Sequence, residues 1–501
     1  MQEPKDQPGS FPAPVYRDTV LGPIFEEAKR YFLQPLLAIN FAHTLMLARQ
    51  RIVPLAEAAE YVRALRALSA EDLRSVSYDG TSEDLFFYVN NRLAAICGEE
   101  IAGKMHTARS RNDIDMTMYR IVLRERLVRV YSANLGLRRL LIEYAAQHMA
   151  ALMPAYTHNQ PAQPTTLGHY LMAYIEVLER DGERLQGAFR RLNRNPLGAC
   201  AITTTGFSID RSYTEALLGF EGLQVNSYGA IAAVDYIGEC CSSLGTAMLS
   251  LGRFAQDLLL WSTAEFGYLR LSDAYVQISS IMPQKRNPVP LEHVRVLASR
   301  ALTQSQGVLG CLHNTPFGDM NDAEDQLQPL IYQAFEDAER SLLLLTGALS
   351  EATFNLPRMK AAAEENFLTV TELADTLVRQ TGMSFHRSHS IVARSVRKAG
   401  TRQDRETMAA LVEAELASLQ QYAGSISREQ LMGALTAQNF VSVRSISGGP
   451  AREALEPEIS RARTQLESDE HWRQKVRQAW AAADQLIRQD CDLLLRHSDG
   501  V

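Results

Sequence analysis

Strand signals are scarce in this 501-residue sequence. Alternating β-branched runs bounded by Asn-Gly or Asp-Gly turns are nearly absent, which argues against a sheet-based fold. Cysteine is also sparse. The six cysteines are scattered, Cys240 and Cys241 are adjacent, and no CxxC occurs. They read as buried or incidental thiols of a reducing compartment, not as a disulfide framework. No run of about 18 apolar residues exists, so no membrane span is expected. There is no excess of positive charge: 51 Lys and Arg stand against 58 Asp and Glu, a net charge of −7. That removes the electrostatic reason to expect nucleic acid or an anionic membrane as partner. The N-terminal "MQEPKDQPGSFPAP" lacks the apolar centre of a signal peptide. It reads as a loose arm, and the chain as cytoplasmic.

Several chemistries are missing too. There is no GxxxxGKS/T phosphate loop, no GxGxxG behind a strand, no HExxH and no GxSxG elbow. His386 and His389, three apart, are a weak metal signal. No metal and no cofactor are expected.

Helix patterns are abundant. Val234, Ile237, Cys241, Leu244, Met248, Leu251, Ala255 and Leu258 recur at alternating steps of three and four. This heptad seam predicts one helix of seven turns or more, longer than a compact domain needs. Residues 116–147, 166–194, 290–312 and 329–352 carry similar patterns. The expected organisation is all-α in three parts: an N-terminal helical region 1–112, a central long-helix bundle 113–355 and a C-terminal region 356–501. The break at "NLPRM" (355–359) and shorter amphipathic segments at 369–380 and 390–399 mark the last part.

Three dense polar clusters lie at helix ends. "HTARSRND" (106–113) precedes a long helix. Ser110, Asn112 or Asp113 suits a cap. Arg109 or Arg111 beside free backbone N–H groups suits a carboxylate. "YTHNQPAQP" (156–164) gathers Thr157, His158, Asn159 and Gln160 between prolines that fix a turn. "QISSIMPQKRNPVP" (277–290) interrupts helix with three prolines. Its serines, Lys285 and Asn287 make the inventory of an enolate-stabilising site: a base, a cation and an amide donor.

The last cluster resembles the SSxMPxKxN loop of the aspartase/fumarase superfamily. Ser279-Ser280-Ile281-Met282-Pro283-Gln284-Lys285-Arg286-Asn287 matches at every defined position. "HTARSRND" and "MPAYTHNQPAQPTTLGHYLMAY" (153–174) resemble two signatures of its argininosuccinate lyase subfamily. The likeness covers about residues 30–460. It implies a homotetramer built on four central bundles, with each active site assembled from three subunits. It implies reversible anti-elimination of an amine from an N-substituted aspartate, releasing fumarate. It assigns Ser279 as base, helped by Lys285, and His158 as the family's debated acid with Glu292 as its carboxylate partner. It places Ser110, Arg111, Asn112, Thr157, Ser280, Met282 and Asn287 on the substrate.

The chain departs from the subfamily on the leaving-group side. Where relatives carry YNRDLQEDK, this chain reads Gly318-Asp319-Met320-Asn321-Asp322-Ala323-Glu324-Asp325-Gln326. The Tyr, Gln and Lys expected to face arginine become Gly318, Ala323 and Gln326. The nearest specific resemblance is to lyases of ethylenediamine-N,N′-disuccinate. The expected substrate is therefore an aminopolycarboxylate, with argininosuccinate as the alternative. An inert, crystallin-like relative is the remote alternative.

Overall fold

The computed structural model describes residues 11–402 and 404–498. Residues 1–10, most of the expected N-terminal arm, lie outside that range. Five long helices form the centre: α1 (Arg111–Gln147), α2 (Leu167–Leu192), α3 (Asp235–Trp261), α4 (Val289–Leu312) and α5 (Gln328–Ser350). The predicted heptad seam is the buried face of α3: every seam residue from Ile237 to Leu258 is buried. Each helix packs on the next, and α5 returns to α1, which closes a ring of five. The 37 residues of α1 span roughly 55 Å at 1.5 Å per residue. Residues at its two ends therefore serve quite separate surroundings. The all-α expectation holds.

Strands are few but not negligible. The described residues hold three two-stranded ribbons. The longest is an antiparallel hairpin, β1 (Leu152–Thr157) and β2 (Gln160–Thr166). Its prolines hid it from a pattern reading. Pro154 pairs with Pro164 across the ribbon, and both are tolerated because a two-stranded ribbon consists only of edges. Thr157 pairs with Gln160, leaving a two-residue loop. That loop, His158 and Asn159, has φ of 52° and 61°, the left-handed conformation of a type I′ turn.

The C-terminal part is more divided than its sequence suggests. Residues 373–435 gather round a separate apolar cluster that includes Leu373, Ile391 and Leu431. Beyond it runs α6 (Arg452–Ser498), which at 47 residues is longer than any bundle helix. It leaves that cluster and packs along α1, α2 and the helix Leu55–Ser69. Leu455, Ile459, Leu466 and Cys491 join the main core. The expected 356–501 region therefore spans three apolar clusters. A polar composition conceals α6, because only a narrow stripe of it is buried. A buried ion pair adds to that apolar contact: Arg138 of α1, fully buried, donates to Asp469 Oδ2 at 2.6 Å.

No single described helix is long and apolar enough to cross a membrane. One bent pair, Pro14–Tyr31 with Leu33–Arg49, passes by composition. Most of its second helix is buried within the protein.

Candidate active site

The first cluster sits at the N-terminus of α1. Ser110 is the N-cap residue, in extended conformation. Its N–H donates to Asp113 Oδ1 at 2.9 Å, while its Oγ donates to Asn112 Oδ1 at 2.8 Å. Asp113 Oδ2 accepts from the N–H groups of Gly198 and Cys200 at 2.8 and 2.9 Å. Asp113 thus locks the helix start to the 198–200 turn. Burial nevertheless pushes its carboxyl up to about 6. Of the two candidate arginines, only Arg111 faces the cluster. Arg109 is buried and donates to Asn40 Oδ1 at 2.8 Å, so it is part of the core.

Arg111 and Asn112 stand between two cavities. One, of about 830 Å³, is lined by Phe86, Phe87, Asn91, His106, Ser110 and Arg111, among others. The second, of about 240 Å³, is lined by Arg111, Asn112, Asp115, Asp319, Met320, Asn321 and Glu324. It is strongly acidic. Arg111 Nη1 pairs with Glu83 at 3.1 Å and Asp84 at 2.6 Å. Asn112 Nδ2 donates to Asp319 Oδ2. Asp319 Oδ1 is buried without a hydrogen-bond partner. Burial, reinforced by the adjacent Asp319 carboxyl, pushes Glu324 up to about 8. Burial also raises Asp115 well above the carboxylate range, with Asp325, Asp84 and Glu324 adding to it. These carboxyls hold their protons because each is denied water and faces others of its kind.

The sequence pattern singled out residues 318–326 but missed Asp115, Glu83 and Asp84. Asp115 had a readable signal. It lies four residues after Arg111, one helical turn along the same face. Asp84 had one too, as N-cap of the helix Leu85–Cys97, where it accepts from Phe87 N at 2.9 Å.

The second cluster is the tip of the hairpin. Thr157 and His158 are exposed. The arm beneath them is braced on the C-terminal part: Gln163 Nε2 donates to Thr371 Oγ1 at 3.3 Å, and Leu152 packs with Ala363, Ala437 and Val441.

The third cluster is a loop on a short ribbon, Gln277–Ile278 paired with Arg286–Asn287. Asn287 Nδ2 donates to Gln277 O at 3.0 Å, and Arg286 Nη2 to Leu271 O at 2.9 Å. Ser279, the first residue beyond the ribbon, accepts at its Oγ from the N–H groups of Ile281 (3.3 Å) and Met282 (3.0 Å). Lys285 closes the loop with an N–H bond to Met282 O at 3.0 Å. Ser280, Met282 and Lys285 are exposed. Glu292 lies exposed in the first turn of α4.

Within one chain the structure brings Ser110, Arg111 and Asn112 together with the 319–324 segment. It keeps Ser279, Ser280, Met282, Lys285 and Asn287 on one loop, and Thr157 with His158 on one turn. Among the described residues, no hydrogen bond or ion pair joins any of these three groups to another.

Long helices in a closed ring, with polar clusters at a helix start, a hairpin tip and the loop before α4, fit a lyase of the aspartase/fumarase type, and the comparisons agree. The family described as "Lyase" matches residues 43–303, and "Argininosuccinate lyase C-terminal" matches 367–442. The chain is 40% identical over 460 residues to argininosuccinate lyase 2 of Agrobacterium fabrum, covering 91% of each. It is 38% identical over 457 residues to the argininosuccinate lyase of Methanoculleus marisnigri, covering 91% of this chain and 92% of the relative. A variant of EDDS lyase with bound fumarate superposes with a TM-score of 0.86 at 31% identity, over 95% of this chain and 96% of the other. The chain belongs to the argininosuccinate lyase subfamily of the aspartase/fumarase superfamily. It is a carbon–nitrogen lyase that releases fumarate.

Proposed function

We propose that the chain eliminates an amine, reversibly and in the anti sense, from an N-substituted L-aspartate. Ser279 takes the proton next to the carboxylate. Its Oγ already accepts two backbone N–H groups, an arrangement that stabilises negative charge on oxygen. Lys285, six residues on in sequence, has no hydrogen-bonded or ionic side-chain partner among the described residues and adds positive charge. Ser280, Met282 (through its N–H) and Asn287 receive the carboxylate on which charge builds. Ser110, Arg111, Asn112 and Thr157 hold the other carboxylate groups. His158, with Glu292, protonates the departing nitrogen. Four copies associate through the bundle in the cytoplasm, and three of them contribute to each site. Leu249 and Leu260 of α3, Val296 and Leu309 of α4 and Leu343 of α5 support this, being large apolar side chains exposed on the single chain. A complete site also requires the three clusters that one chain does not join.

The acidic cavity beside Asn112 carries the substrate reading. Protonated Asp115 and Glu324 offer hydrogen bonds, and Glu324 adds negative charge once ionised, so the cavity favours a leaving amine whose substituent is rich in hydrogen-bond donors or cationic. A guanidinium, as in argininosuccinate, meets that requirement. The aminopolycarboxylate expectation is supported by the likeness to EDDS lyase, but a second dicarboxylate arm would meet like charge wherever these carboxyls ionise. Fumarate absorbance should be followed with argininosuccinate, ethylenediamine-N,N′-disuccinate and uncharged N-alkyl aspartates supplied separately. Turnover is expected with the cationic substituent. Fumarate from the disuccinate alone would overturn the cationic reading. No fumarate from any of them would favour the inert reading.

A pH dependence follows from Glu324. Its carboxyl, pushed up to about 8, is protonated below that pH and attracts a cation only when ionised. KM for a cationic substituent is therefore expected to fall as pH rises from about 7 to about 9, by up to about tenfold per unit below the pKa. KM for an uncharged substituent should not follow that curve. Glu324→Gln should flatten it. A KM profile that persists in Glu324→Gln would remove Glu324 as its origin.

A further inference from the structure

A cavity of about 460 Å³, away from the site described above, is lined by Lys29, Arg30, Arg74, Arg124, Arg126 and Arg129. Only two carboxylates, Glu125 and Asp484, share that lining. In a chain of net charge −7, six cations against two anions is a strong local reversal. The walls come from the N-terminal helices, the middle of α1, the 217–218 segment and α6.

Some of these cations have partners. Lys29 pairs with Glu26 at 2.7 Å and donates to the Val76 carbonyl. Arg30 and Arg126 share Glu336, at 3.5 and 3.8 Å. The other three have no carboxylate partner. Arg74 and Arg129 make no hydrogen bond or ion pair with any described residue. Arg129 forms no ion pair with Glu125, one turn away on the same helix, although the two attract each other at longer range. Arg124 is only 5% exposed. Its guanidinium donates to neutral acceptors alone: Asn193 Oδ1 at 2.9 Å, Gly219 O at 3.0 Å and Leu218 O at 2.7 Å. Its Nε is buried with no partner. Phe220 and Trp480 flank it, with ring centroids at 4.4 and 5.1 Å, so its orientation is fixed. Glu125 and Asp484 attract it from a distance but neither bonds to it, and a buried cation with no bonded counter-charge is costly unless something anionic reaches it.

We propose that this cavity binds a small phosphate-class anion. Three guanidinium groups that bond to no described carboxylate reach it, one from the 73–75 turn and two from α1. A tetrahedral oxyanion can accept from several directions at once, which suits planar guanidinium forks better than a single flat carboxylate does. Because the ligand would touch the N-terminal region, α1 and the surroundings of α6 together, it would tie three parts of the chain to each other.

Calorimetric titration of the full-length protein with inorganic phosphate tests this, with fumarate present at saturation to fill the active site. Saturable binding is expected. The Arg74→Gln, Arg129→Gln double variant should bind about tenfold or more weakly, and its fumarate-forming activity without phosphate should be unchanged. A parallel titration with glycerol phosphate separates the two sources of this chemistry. Tighter binding of the ester assigns a phosphorylated metabolite; equal or weaker binding assigns free phosphate; either upholds the site. Three results would overturn it: no saturable binding, equal affinity in the double variant, or displacement of phosphate by fumarate, which would place the anion in the active site.

Discussion

Ser279→Ala loses about 10²–10⁴-fold in kcat, the range associated with a positioned proton acceptor, and keeps its fold. The reaction removes a weakly acidic proton beside a carboxylate, and an alanine has no lone pair to take it. The fold should survive because the Ser279 side chain bonds only to N–H groups two and three residues on, in an exposed loop. Circular dichroism and the elution volume should match the parent protein. A variant that retains kcat within about threefold, less than 1 kcal/mol of barrier, would remove Ser279 as base.

The second large effect is on stability. Arg138→Ala is expected to lower the unfolding free energy by about 3–5 kcal/mol, the usual cost of breaking a buried ion pair from one side. Arg138 is completely buried, 2.6 Å from Asp469 on α6 and 3.6 Å from Glu179 on α2. Removing it leaves Asp469, also buried, with only the amides of Gln186 and Gln465 at 3.1 Å. Arg139, the next residue, pairs with Glu470 on the surface and makes a matched control. Arg139→Ala should cost under about 1 kcal/mol, because solvent screens exposed pairs. Urea unfolding of the two variants checks this. Equal losses would mean that α6 is held by its apolar stripe and not by the buried pair.

Long helices were legible because a heptad pattern repeats over many turns. The seam from Ile237 to Leu258 became the buried face of α3, and the patterns at 290–312 and 329–352 became α4 and α5 within two residues. The hairpin and α6 were not legible, for opposite reasons. In the hairpin, Pro154, Pro161 and Pro164 replace the alternation that marks a strand. In α6, charged residues dominate, and the buried stripe emerges only against α1. The three polar clusters could be read locally, each being continuous in sequence. The acidity of the cavity could not, because Asp115 and Asp319 are 204 positions apart in the numbering and meet only through the packed bundle.

The ribbon under the 279–285 loop also sets a leash. Seven residues clamped at both ends, at about 3.5 Å each, can carry their midpoint no more than roughly 12 Å from the clamp. Ser279 is the first link and lies next to the clamp, whereas Ile281, 82% exposed, and Met282 lie further along the arc. The proposed base therefore sits at the pivot, and the apolar side chains travel. Lengthening the loop would loosen the reach of its tip far more than the position of Ser279.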